Sequence, residues 1–140
     1  MQRAGGAEYL GLVTDLLQRA RLADPVGGLW EAADLQWWFT RDPHPGDEDA
    51  AFWRDDDGPP VTAVVFTRWG PDSYGCDVLG RATPAAWEFV AARAAGLPGA
   101  DIDMEVDPGL EPAAGRLYLG AGFRPDVRTP SLRRPATVRA

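Results

Sequence analysis

Residues 111–125, EPAAGRLYLGAGFRP, set the end of a helix against the start of an extended segment. Pro112 suits the first helical turn, where its missing N–H has no intrahelical partner to lose. Ala114, Leu117 and a residue one turn on would face a core, Gly122 would release the helix, and Phe123 would close that core from the next strand. Read on its own, Tyr118 is an amphipathic side chain at the helix edge with its hydroxyl in water.

The flanking segments extend the pattern. DIDMEV, residues 101–106, alternates with Ile102, Met104 and Val106 inward and acids outward, a half-buried strand. Residues 124–138 are extended but punctuated by Pro125, Pro130 and Pro135, which confines 124–140 to an edge strand or tail. Upstream, Ala7 to Ala23 places Leu10, Val13, Leu17 and Ala20 at helical spacing, and Asp24-Pro25 with Gly27-Gly28 ends that helix. LQWWFT, residues 35–40, alternates with Leu35, Trp37 and Phe39 on one face, which predicts a strand. DPHPGDED is a loop by composition. AAFWRD is then a short strand, DDGPP a turn, and VTAVVFTRW a central strand apolar on both faces. SYGCDVLG follows with Tyr74, Cys76 and Val78 on one face. Thr83 as N-cap and Pro84 at the first position open another helix, striped by Trp87, Val90, Ala91 and Ala94. The order predicts one α/β (α+β) domain over residues 1–140: a mixed, mostly antiparallel sheet flanked by helices, with a late crossover through a helix.

Composition narrows the function classes. The chain has 140 residues, 45% of them hydrophobic and 25% charged, which fits one globular domain. No run approaches a membrane span and the start, MQRAGGAEYL, lacks a signal-peptide core, so a cytoplasmic protein is expected. One cysteine, Cys76, excludes an internal disulfide and reads as a small buried strand residue. The single histidine, His44, between two prolines, has too few partners for a zinc site or a triad, and the acids of DPHPGDEDA and DDD lack the spacing of a calcium loop, so no metal is expected. All 14 basic residues are Arg. Residues 1–115 carry 8 Arg against 20 acids, while residues 116–140 carry 6 Arg against one acid, Asp126. So acidic a body disfavours nucleic acid as partner. The basic tail is expected to lie on that body; reaching another protein is the alternative.

Ala114, Leu117, Tyr118, Gly122 and Phe123 spell A-x-x-L-Y-x-x-x-G-F. In that form the segment resembles the last helix and following strand of the GNAT superfamily of acetyl-CoA-dependent N-acetyltransferases, and the element order agrees along most of the chain. The stretch from Leu29 through Gly70 is also similar to amino-terminal regions of such acetyltransferases in actinobacteria. The resemblance implies acyl transfer from acetyl-CoA to an amine, with Tyr118 as the general acid for the departing thiolate. It also implies a coenzyme held by the strand at Val78 and Leu79 and by the loop after it at Arg81, Thr83 and Ala86.

That loop departs from the family's form, Q/R-x-x-G-x-G/A. Here it reads Arg81-Ala82-Thr83-Pro84-Ala85-Ala86, with Pro84 at the central glycine. Proline removes an N–H and stiffens a turn that must approach phosphate closely. As an ordinary capped helix start the same residues need no ligand. Glu111 stands where the family often has Asn. The general base is open among Asp77, Asp103 and Glu105. Two functions fit: an N-acetyltransferase acting on a small-molecule or protein amine, and a non-catalytic GNAT-fold module, such as the degenerate half of a tandem acetyltransferase. Either allows a homodimer or a partner acetyltransferase domain. Trp37 and Trp38, if exposed, would mark an interface.

Overall fold

The computed structural model describes residues 1–26, 30–41, 50–106, 109–126 and 131–135. The elements in chain order are β1 (Gln2–Ala4), α1 (Gly6–Ala23), α2 (Ala32–Phe39), β2 (Ala50–Arg54), β3 (Pro60–Gly70), β4 (Ser73–Gly80), α3 (Pro84–Ala95), β5 (Asp101–Glu105), α4 (Pro112–Gly120), β6 (Arg124–Asp126) and β7 (Ser131–Arg134). Among the described residues the strands form one sheet, ordered β1-β2-β3-β4-β5-β7-β6. Every pairing is antiparallel except that of β4 with β5, which the α3 crossover joins. The mixed, mostly antiparallel sheet is therefore as the residue pattern predicts.

β3 sets the centre because it is apolar on both sides. Ala63 and Val65 enter one core with Tyr9, Val13, Leu16 and Leu17 of α1 and Leu35 of α2. Val64 and Phe66 enter the other, with Trp87, Val90 and Ala94 of α3 and Ala114 and Tyr118 of α4. The α1 residues recur at i, i+4, i+7 and i+8, the stripe a helix needs to lie on a sheet. Cys76 is buried and its thiol is pushed up in pKa, first by burial and then by Asp77.

Three expectations change. Residues 35–40 belong to α2, not to a strand. Leu35, Trp38 and Phe39 also stand at i, i+3 and i+4, and a capping box decides between the periods: the Glu31 side chain accepts the Asp34 N–H, while Asp34 Oδ2 accepts the Glu31 N–H at 2.9 Å. Trp37 is left on the outer side, 54% exposed, with the Arg41 guanidinium 3.9 Å above its ring. Second, the segment after Phe123 is not a single edge strand or tail. It supplies β6 and β7, and β7 lies inside the sheet between β5 and β6, with Leu132 buried. Pro125 falls on β6, at the sheet's edge, where a missing N–H is tolerated. Third, Tyr118 is 2% exposed rather than wet at a helix edge. The expected breaks at Gly27-Gly28, the loop holding His44 and the positions of Pro130 and Val138 lie outside the described residues.

The basic tail does meet the acidic body where it is described. Arg133 grips Asp101 through both Nε and Nη2, and its Nε stands 3.7 Å from Asp103.

Candidate functional site

β4 and β5 run side by side from Ser73 and Asp101 to Cys76 and Met104, and there the ladder stops. Asp77 and Glu105 are the next pair in register, so the strands part with two carboxylates at the fork. Alternation puts both on the α1–α2 side of the sheet. Asp77 is half-buried, and its carboxyl is raised from the usual value to about 7, first by burial, then by the charge of Glu105; a hydrogen bond from the Trp30 indole pulls it partly back. Among the described residues neither Asp77 nor Glu105 forms an ion pair.

Beyond the fork a cleft of about 330 Å³ opens between the two helical layers. Its walls are apolar: Leu17, Val78, Leu79, Trp87, Met104 and Leu110, with Tyr118 among them. Burial, and secondarily Cys76, pushes the Tyr118 phenol above its ordinary pKa, so it stays protonated across the working pH range. Polar residues at the cleft are mostly acids, Asp24, Glu105 and Glu111. The cation lining it, Arg21, is engaged by Glu31 at 2.5 Å and by the Pro25 carbonyl at 2.8 Å.

Of the residues expected to hold a coenzyme, the cleft gathers Val78 and Leu79 with Tyr118, but not Arg81, Thr83 or Ala86. Arg81 is turned away: its N–H donates to the Val61 carbonyl at 2.9 Å and its guanidinium pairs with Asp55 at 2.7 Å. Gly80 enforces this turn. It has φ +73°, and a Cβ there would stand 2.4 Å from the Val61 carbonyl oxygen. Thr83 spends its hydroxyl on its own helix, accepting the Ala86 N–H at 3.3 Å, and Ala86 is fully buried. Thr83→Ala should therefore cost about 1 kcal/mol of stability in urea unfolding. With Pro84 carrying no N–H, the donors left near the helix start are the N–H groups of Ala82, Thr83 and Ala85. That is a thinner cradle than a glycine loop, though the positive end of α3 remains.

On the opposite side of the fork lies a second cavity, of about 230 Å³. Trp30, Trp38 and Trp69 wall it, and Asp77, Asp103, Glu105 and Asp126 border it. It meets the first cleft at Trp30, Met104 and Glu105, which line both. Among the described residues no three His, Cys, Asp or Glu side chains are placed to hold a metal ion, and no helix is long and apolar enough to cross a membrane. The tryptophans are scattered over 40 positions of sequence, and the packing of α2 against the end of β3 brings them together; the double Trp of α2 was the one local sign of them.

A mixed, mostly antiparallel sheet of this order, flanked by helices, is a GNAT-like fold. The chain is similar to the crystal structure of Tetrahymena GCN5, a GNAT acetyltransferase, with a TM-score of 0.51 and 9% sequence identity over 93% of this chain and 83% of that one. At that identity the likeness is one of fold. No protein-family model matches the chain, and no curated protein does.

Proposed function

We propose that this protein is an N-acyltransferase: an acyl thioester of coenzyme A enters the apolar cleft, and a cationic amine reaches the fork from the tryptophan side. The observation that carries the reading is the junction of the two cavities at Trp30, Met104 and Glu105, beside Asp77 and in a cleft that Tyr118 also lines. The volume of the cleft, about 330 Å³, falls within the range of small-molecule sites, and its apolar walls fit an acyl and thioester end. Acetyl-CoA would supply the electrophilic carbonyl. Asp77, poised near neutrality, accepts a proton from the ammonium, which frees the nitrogen lone pair for the carbonyl carbon. As the carbon–sulfur bond breaks, Tyr118 gives its proton to the sulfur, and the nitrogen, now part of an amide, sheds its remaining extra proton, which restores the phenol by way of solvent; the buried phenol suits a donor rather than a base. The walls exclude water from the thioester.

A second reading is a GNAT-fold module that binds an amine without transferring a group to it. Pro84 in the loop, Arg81 bound to Asp55 and acids at the cleft favour it, because each weakens the hold on pyrophosphate.

Calorimetric titration with acetyl-CoA separates the two. The acyltransferase reading expects binding by the unaltered chain, tightened several-fold in Pro84→Gly as the loop regains a donor and freedom. Silence from both proteins would overturn it and leave the module. Turnover is then checked by thiol release with Tyr118→Phe, expected to lower kcat with little change in acetyl-CoA affinity.

A further inference from the structure

The tryptophan-walled cavity has chemistry that acyl transfer does not require. Trp30 precedes α2, Trp38 lies within it and Trp69 stands near the end of β3. Trp30 and Trp38 have ring centroids 4.6 Å apart, and Trp69 stands edge-on to Trp38 at 6.3 Å. Gly75 makes room for this: a Cβ there would lie 2.8 Å from Trp69 Nε1. Of the bordering acids, Asp103 is already approached by Arg133, while Asp77 and Glu105 face each other with no ion-pair partner among the described residues. Two buried hydroxyls on this side of the sheet, Tyr9 Oη and Thr67 Oγ1, have no hydrogen-bond partner, and Tyr9 lies close enough to Asp77 to feel its charge.

We propose that this cavity is a receptor for an alkylated ammonium ion, whose carbon surface packs on Trp30, Trp38 and Trp69 and whose charge is met by Asp77 and Glu105. Indole faces offer no lone pairs, so they cannot coordinate a bare metal ion, and the described acids do not converge on one. They do present the negative face of a ring quadrupole, which attracts a cation that has little hydration to lose. Two neighbouring carboxylates supply the charge that three aromatic walls alone would lack. A nitrogen carrying methyl or methylene groups satisfies both demands. As an acyl acceptor it must keep one N–H, which makes a secondary amine the best fit. Only that acceptor role rests on the acyltransfer reading, because the cation needs no acyl donor to bind.

The test is a calorimetric titration of the full chain with choline and with its uncharged carbon isostere 3,3-dimethylbutanol, at pH 8 and without acetyl-CoA. Choline should bind, and the isostere at least tenfold more weakly. Trp69→Leu keeps an apolar side chain at a 48% exposed position, so the fold should hold, and choline affinity should fall about three- to thirtyfold. Asp77→Asn should weaken it further. Equal affinity for choline and the isostere would make the cavity merely apolar and overturn the proposal. So would no binding of choline by the unaltered chain, or an unchanged affinity in Trp69→Leu with a native melting temperature. Because no acyl donor is present, these outcomes are independent of whether the cleft binds acetyl-CoA.

Discussion

Asp77→Asn should raise stability at pH 8 by about 2–4 kcal/mol and change it little at pH 4. The cause is the position of the carboxyl at the fork. Burial first and Glu105 second raise it from 3.8 to about 7, with the Trp30 indole bond opposing them. A group whose folded pKa is raised favours the folded state fully below its unfolded pKa, and that advantage is lost as pH rises through the folded value. For Asp77 the loss runs from about pH 4 to pH 7, and above that the protein carries the whole cost of an ionised, partly enclosed carboxylate. Asn has nearly the same shape, never ionises, and keeps an oxygen for the Trp30 N–H. Half-burial of the residue, with solvent able to screen the charge, sets the lower end of the range. Urea unfolding at pH 4, 6 and 8 measures it. A variant less stable than the parent at pH 8 would show that the ionised carboxylate supports the fold and would defeat this account of the fork.

A residue that costs stability at neutral pH while bordering the tryptophan-walled cavity, beside a Glu105 that lines both cavities, is better understood as part of a site than as a solvated face. The same proton governs cation binding. Among the described residues, the titratable or charged groups at that cavity besides Asp77 are Glu105 and Asp103 on β5 and Asp126 on β6, with Tyr9 on α1 and Arg133 on β7 close by, while Cys76 on β4 reaches it from the core of the other face. Burial pushes Tyr9 and Cys76 upward in pKa, so neither titrates near neutrality. Choline affinity should accordingly rise between pH 6 and pH 8 in the parent and stay flat in Asp77→Asn.

Most of the fold was legible because its signals are local. The faultless alternation of 101–106, the Thr83-Pro84 start and the Gly122-Phe123 end each depend on a few adjacent residues, and all three occur, the strand stopping one residue short, at Glu105. LQWWFT misled because six residues satisfy a period of two and a helical period equally; the Glu31 and Asp34 capping pair was the local sign that separates them. The place of β7 was not legible, since prolines describe what a strand cannot be and not which neighbour it finds. At the site, Val78, Leu79 and Tyr118 could be named from a motif. Trp30, Trp69 and the Asp77–Glu105 pairing could not, because the packing of α2 on the sheet and the β3–β4 register bring the tryptophans together, and only the end of the β4–β5 ladder sets the two acids side by side.

Arg134→Met should destabilise the protein by about 3 kcal/mol, with Arg134→Lys recovering less than half of the loss. Arg134 comes from β7 and reaches beneath the C-terminal end of α3. Its Nη1 donates to the Ala94 carbonyl at 2.5 Å, its Nη2 donates to the Leu97 carbonyl, and Nε and Nη2 share the Ala100 carbonyl at 3.3 and 3.2 Å. Three carbonyls in and just after the last turn of α3 thus converge on one planar cation on the favourable side of the helix dipole; those of Ala94 and Leu97 also accept the N–H groups of Leu97 and Ala100, so the guanidinium gathers the whole turn rather than filling it alone. Desolvation lowers the Arg134 pKa. Gly122 clears the path: at φ +93° it has no side chain, and a Cβ there would stand 3.3 Å from Arg134 Cδ. The glycine that ends the motif helix therefore also admits the arginine stem that ties β7 to the crossover helix. Methionine fills the same channel yet leaves the three carbonyls facing an apolar chain, whereas lysine brings a point charge that cannot span them. A loss below 1 kcal/mol for Arg134→Met in urea unfolding would mean that water reaches those carbonyls, and that the sheet holds β7 without this tie.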